Sequence, residues 1–79
     1  MKAEMNPGDA IEAIRAVPGI RAAGVQKARG GTYIVISAIT NGHRLTRQIP
    51  VIGGRVSPTT VKHSLRAVVG TENAARFAP

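Results

Sequence analysis

The sequence predicts an α+β fold: a helix, two or three antiparallel strands, and a second helix. Three features carry this. Asn6-Pro7-Gly8-Asp9 and Ser57-Pro58 are helix starts, each followed by apolar residues at helical spacing. Thr32–Thr40 (TYIVISAIT) is a β-branched run suited to a pleated surface. Asn41-Gly42 is the favoured pair for a two-residue hairpin turn. One helical layer on one face of the sheet is the economical way to bury these stripes, so both helices are expected on the same face.

In chain order, Asn6 or Asp9 caps the first helix, Pro7 suits its first turn, and Glu12 follows Asp9 at capping-box distance. Ala10, Ile11, Ile14 and Val17 mark its buried side, and Pro18-Gly19 ends it, giving a helix over about residues 7–17. Residues 20–24 are ambiguous, with one more helical turn as the reading offered. Residues 25–29 read as a short strand and Gly30-Gly31 as a turn. Thr32–Thr40 is then a central strand. Its returning neighbour, residues 43–51, places His43, Leu45, Arg47, Ile49 and Val51 on one face and Arg44, Thr46 and Gln48 on the other. Pro50 has no N–H for a ladder, which makes this strand an edge or a bulge. Ser57 caps the second helix, with Val61, Leu65 and Val68 as its buried stripe and Gly70 at its C-terminal cap. The expected organisation is an arm over 1–6, one domain over 7–70 and a loosely ordered tail over 71–79.

A chain of 79 residues fits one domain. Twelve alanines, one Tyr, one Phe and no Trp make its core small and aliphatic. A domain of this size holds only about 3–5 kcal/mol, and open strand edges add to the expectation of a homodimer.

Charge bounds the partner. From Ala13 to Thr71 there are nine cations and no acid; the acids are Glu4, Asp9, Glu12 and Glu72, and the chain carries net +7. Such a one-signed body repels itself and calls for a polyanionic partner. The basic set proposed to meet it is Lys27, Arg29, Arg44, Arg55, Lys62 and Arg66. Lys62 and Arg66 lie one turn apart on the helix, and Arg55 precedes its anion-favouring N-terminus. With a single Tyr there is no stacking platform, so recognition of a structured duplex by shape and cations suits the sequence better than single-strand binding.

Other chemistry is thinly supplied. Absence of Cys excludes disulfides and thiolate chemistry. His43 and His63 alone make no zinc site, and no carboxylate in the basic body is placed to orient either as a catalytic base. No catalytic residue, metal or cofactor is therefore assigned. Ser57 is accounted for as a cap, and the Gly30-Gly31 and Gly53-Gly54 pairs match no phosphate-binding loop. No apolar run reaches the roughly 18 residues of a membrane span, no secretory signal is evident, and the expected compartment is the cytoplasm.

The segment Ile49-Pro50-Val51-Ile52-Gly53-Gly54-Arg55-Val56-Ser57-Pro58-Thr59-Thr60-Val61-Lys62-His63-Ser64-Leu65-Arg66 resembles the C-terminal half of HicA-type toxins. In that family a strand ending in a Val-Pro-Val type segment passes through a Gly-containing turn into a Thr-Leu-Arg-Ser-Ile-Leu type helix. The first helix and the Gly30-Gly31 turn before Tyr33-Ile34-Val35 fall where the family has its own first helix and Gly-Ser-His segment, so the resemblance covers roughly residues 9–70. It implies a fold similar to double-stranded-RNA-binding domains, an mRNA interferase activity resting on that His, and an antitoxin covering the active surface. Here Thr32 occupies the position of the His. The expectation is a protein that binds structured RNA, ahead of DNA, without efficient cleavage. The alternatives are a basic module binding an acidic protein, such as an antitoxin, or an active interferase.

Overall fold

The computed structural model describes residues 4–78. Its elements run α1 (Pro7–Arg15), β1 (Ile20–Ala28), β2 (Gly31–Thr40), β3 (His43–Val51) and α2 (Pro58–Ala74). The strands form one antiparallel sheet in the order β1-β2-β3. α1 packs on β1, and α2 on β3 and β2. This is the α+β arrangement expected, with both helices on one face.

Local chemistry sets the boundaries. The Asn6 side chain accepts a hydrogen bond from the Gly8 N–H at 2.7 Å, and Pro7 opens α1. Ser57 Oγ accepts from the Thr60 N–H and Pro58 opens α2. At the β2–β3 turn, Asn41 and Gly42 have φ of 53° and 79°, the left-handed pair that a tight hairpin needs. Strand pairing then fixes the sides. Ile34 lies opposite Ile49, Ile36 opposite Arg47 and Ala38 opposite Leu45, so the alternation expected for β3 is the one observed. Ile34, Ile36 and Ala38 face the helices and are buried with Ile14, Ile49, Val56, Val61, Leu65 and Val68.

Three stretches differ from expectation. Residues 20–24 are neither a helical turn nor a connection: they are the first half of a nine-residue β1. The register shifts between Ile20, opposite Ala38, and Ala22, opposite Ser37. This bulge turns both Ile20 and Ala23 to the helix side, three residues apart, and so hides the period of two that marks a strand. Gly70 (φ 87°, ψ 165°) does interrupt α2, yet helical turns resume beyond it to Ala74. The expected tail is anchored as well. Ala74 and Phe77 join the core, Phe77 at 4% exposure, and the Phe77 N–H donates to the Ala74 carbonyl. At the other end Met5 exchanges two backbone hydrogen bonds with Val56, at 2.8 and 2.9 Å, which ties the expected arm to the entry of α2. Residues 1–3 and 79 lie outside the described residues.

α1 is short. Nine helical residues rise about 13.5 Å, whereas nine strand residues span about 30 Å, so α1 covers only part of β1. Val25, across from Ile34 on the helix-side face, is consequently 51% exposed.

Leu65→Ala is expected to lower the unfolding free energy by about 2–5 kcal/mol and Phe77→Ala by about 3–5 kcal/mol, read by chemical denaturation. A Phe77→Ala loss below about 0.5 kcal/mol, the range of surface substitutions, would mark 71–78 as the loose tail after all.

Candidate nucleic-acid interface

Antiparallel pairing sorts the cations between two ends of the sheet. At one end lie the β1–β2 turn, the β3–α2 connection and the N-terminus of α2. Lys27 pairs with Thr32, which pairs with Val51 on its other side. Arg29 sits in the turn just beyond. Ile52 and Arg55 close a tight loop through two backbone hydrogen bonds, N–H to carbonyl in each direction, at 2.9 and 3.0 Å. Arg55 thus stands directly ahead of the capped start of α2, where free N–H groups and the helix dipole favour anions.

Lys62 and Arg66 follow along α2. Val61 and Leu65 are buried, Lys62 is half-buried and Arg66 is exposed. On the same flank, Val69 lies against Gly19 at the end of the α1–β1 connection, and Pro58 lines a groove with Ala13 and Ala16 of α1. Lys62 and Arg66 therefore border the space between the helices, with their stems along apolar surface and their charges outward.

Arg44 is elsewhere. It pairs with Ile39 near the β2–β3 turn, and its side chain belongs to the sheet face that carries no helix. The structure thus gathers Lys27, Arg29 and Arg55 at one end, runs Lys62 and Arg66 up α2 from that end, and leaves Arg44 on the opposite side of the sheet.

Two further features bear on the charge. The groove between α1 and the start of α2, about 780 Å³, has Glu4, Asp9, Glu12 and Arg55 among its lining residues, so three acidic residues share it with one cation. The clustering of acids before Ala13 was visible in the sequence; their placement beside Arg55 follows from the Met5–Val56 pairing. In addition, no ion pair joins the cations and acids among the described residues. Arg15 instead donates from Nη2 to the Ala23 carbonyl at 2.9 Å, where it covers part of the β1 edge.

The remaining candidates stay apart. Thr32 is half-buried in β2 between Lys27 and Val51. His43 is exposed at the β2–β3 turn and His63 is exposed on α2. Among the described residues no group of three His, Cys, Asp or Glu is placed to hold a metal. No described helix is long and apolar enough to cross a membrane. Compared with family models, curated proteins and solved structures, the chain matches none.

With its cations unneutralised by internal pairs, the folded chain is expected to gain stability from screening. Raising salt from about 20 to 200 mM, over which the Debye length falls below about 10 Å, should raise the melting temperature measured by circular dichroism. A fall would show that attractive charge contacts dominate.

Proposed function

We propose that the chain binds structured nucleic acid in the cytoplasm, duplex RNA foremost, and holds it without cleaving it efficiently. The observation that carries this reading is the unpaired basic set on the helix side of the sheet: Lys62 and Arg66 along α2, with Lys27 and Arg29 at the neighbouring strand turn. Cations on separate rigid elements suit a duplex, whose phosphate rows are themselves rigid and regularly spaced. Arg55 contributes less, because Glu4, Asp9 and Glu12 share its groove. Arg44 supports from the other face only where the nucleic acid wraps the sheet edge.

The α-β-β-β-α order is the one that a HicA-like reading requires, and it supports that reading as ancestry for an RNA-binding surface. Thr32 then explains the missing chemistry. A hydroxyl has no pKa near neutrality and does not shuttle protons as imidazole does. A positioned general base contributes about 10²–10⁴-fold, so its replacement silences cleavage while the cations still bind.

Fluorescence anisotropy with a labelled RNA duplex, read over a salt series, tests the binding. Log affinity should fall linearly with log salt, and each lost phosphate contact should reduce the slope by about 0.9, the value for duplex DNA. The double variant Lys62→Ala, Arg66→Ala should lose both slope and affinity, while Arg55→Ala and Arg44→Ala lose less. Parent-like binding by the double variant would remove α2 from the interface. In a companion assay the parent should leave labelled RNA intact, and Thr32→His should introduce weak cleavage. Robust cleavage by the parent, abolished by His63→Ala, would place catalysis on α2 instead.

A further inference from the structure

The second face of the sheet is separate from this basic surface. It has no helix on it, and the molecule is only 17 Å thin along its short axis, a depth filled by one helical layer and one sheet. A sheet face meant for water normally alternates to charged and polar residues. Here the centre is apolar and small: Val35 and Ile39 on β2 stand beside Ala22 and Gly24 on β1, and Ser37 between them is only 6% exposed. Polar residues occupy the β3 side, where Arg44 is the only charge that pairing places on the face. An apolar centre with a polar rim is the anatomy of a protein interface.

We propose that this face is the dimer interface of the protein and that its occupant is a second copy of the same chain. The face is complementary to itself. Ala22, Gly24, Val35 and Ser37 floor a hollow of about 450 Å³, with Gln26, Thr46 and Arg44 along its polar side. Ile39, 46% exposed, projects two residues along β2 from Ser37, about 7 Å away at a rise of about 3.4 Å per residue. A two-fold axis midway between them seats each Ile39 in the hollow of the other copy, as an isologous contact demands.

The area is adequate. Three strands of nine or ten residues at a spacing of about 4.8 Å project about 450 Å². Two copies then bury on the order of 1,000 Å² of accessible surface, where specific interfaces begin.

Charge selects the copy over other occupants. A polyanion or an acidic protein would find Arg44 as the one cation that the paired positions place on this face, with Arg21 at its rim in the β1 bulge. Face-to-face pairing sends the two basic helical layers outward. Layers about 10 Å apart separate them by about 30 Å, well beyond the Debye length of about 8 Å at physiological salt. Edge-to-edge association is disfavoured by Pro50 on β3 and by Arg15 over the β1 carbonyl of Ala23.

Sedimentation equilibrium from about 1 to 100 μM, a range that reaches the weak affinities expected near the lower size limit of specific interfaces, is the test. The parent should approach twice its 8.2 kDa mass. Gly24→Gln fills the hollow at a position where an added Cβ meets nothing within 4 Å, so the protomer fold is spared. Gly24→Gln and Ile39→Ser should each give monomers that retain the parent's circular dichroism spectrum. Gly24 lies opposite Val35, four residues from Ile39, too far for a disulfide within one copy. A chain carrying both Gly24→Cys and Ile39→Cys should therefore form covalent dimers on mild oxidation. A monomeric parent across the range, dimers that survive both single substitutions, or a double-cysteine chain that stays monomeric would each overturn the proposal.

Discussion

One face of one strand holds the protein together. Ile34, Ile36 and Ala38 of β2 are the floor on which both helices rest, and every other core residue reaches the interior by its position relative to them. Side chains alternate with a period of two, so a slip of one residue in either hairpin would trade Ile34 and Ile36 for Tyr33, Val35 and Ser37. The Asn41-Gly42 turn holds the β2–β3 register, and the Ile34–Ile49 pair rewards it with burial. With no Trp and only one buried aromatic, Phe77, this small aliphatic core leaves little stability to spare.

That economy shapes the rest of the surface. A core of this size accommodates no ionised group, and among the described residues the only buried polar one is Ser37. The described cations are therefore displaced outward, and with no acid between Ala13 and Thr71 none of them forms an ion pair with a described acid. Three of the four acids, Glu4, Asp9 and Glu12, collect around α1, where Asp9 in the first turn is favourable to the helix dipole. Their presence divides the basic surface: Arg55 shares their groove, while Lys62, Arg66, Lys27 and Arg29 lie outside it.

The two faces of the sheet consequently offer different partners different chemistry. The helical side carries Lys62 and Arg66 along α2 and Lys27 at the β1–β2 end of the sheet. The bare side presents a shallow hollow with an apolar floor, Arg44 at its polar side, and a projecting isoleucine. A thin two-layer domain can use both at once, because a contact on one face leaves the other free.

Much of the fold was legible in the sequence because it rests on local chemistry. The caps at Asn6 and Ser57, the Asn41-Gly42 turn, the β-branched run of β2, the alternation of β3 and the Val61, Leu65, Val68 stripe each act within a few residues, and each appears where the residues place it. The first half of β1 was not legible, because a bulge breaks its alternation and only pairing with β2 makes it a strand. Nor was the anchoring of Ala74 and Phe77, since a few apolar residues after a glycine have no period of their own and depend on a cavity formed by distant elements. The candidate site divides the same way. The sequence by itself determined which residues carry charge, and that no acid in the basic body can neutralise them. Only the tertiary structure decided which cations stand together. It sent Arg44 to the bare face, put Arg55 in a groove with three acids and left Lys62 and Arg66 on the flank of α2 that carries Pro58 and Val69, because a side chain's neighbours are fixed by strand register and helix docking.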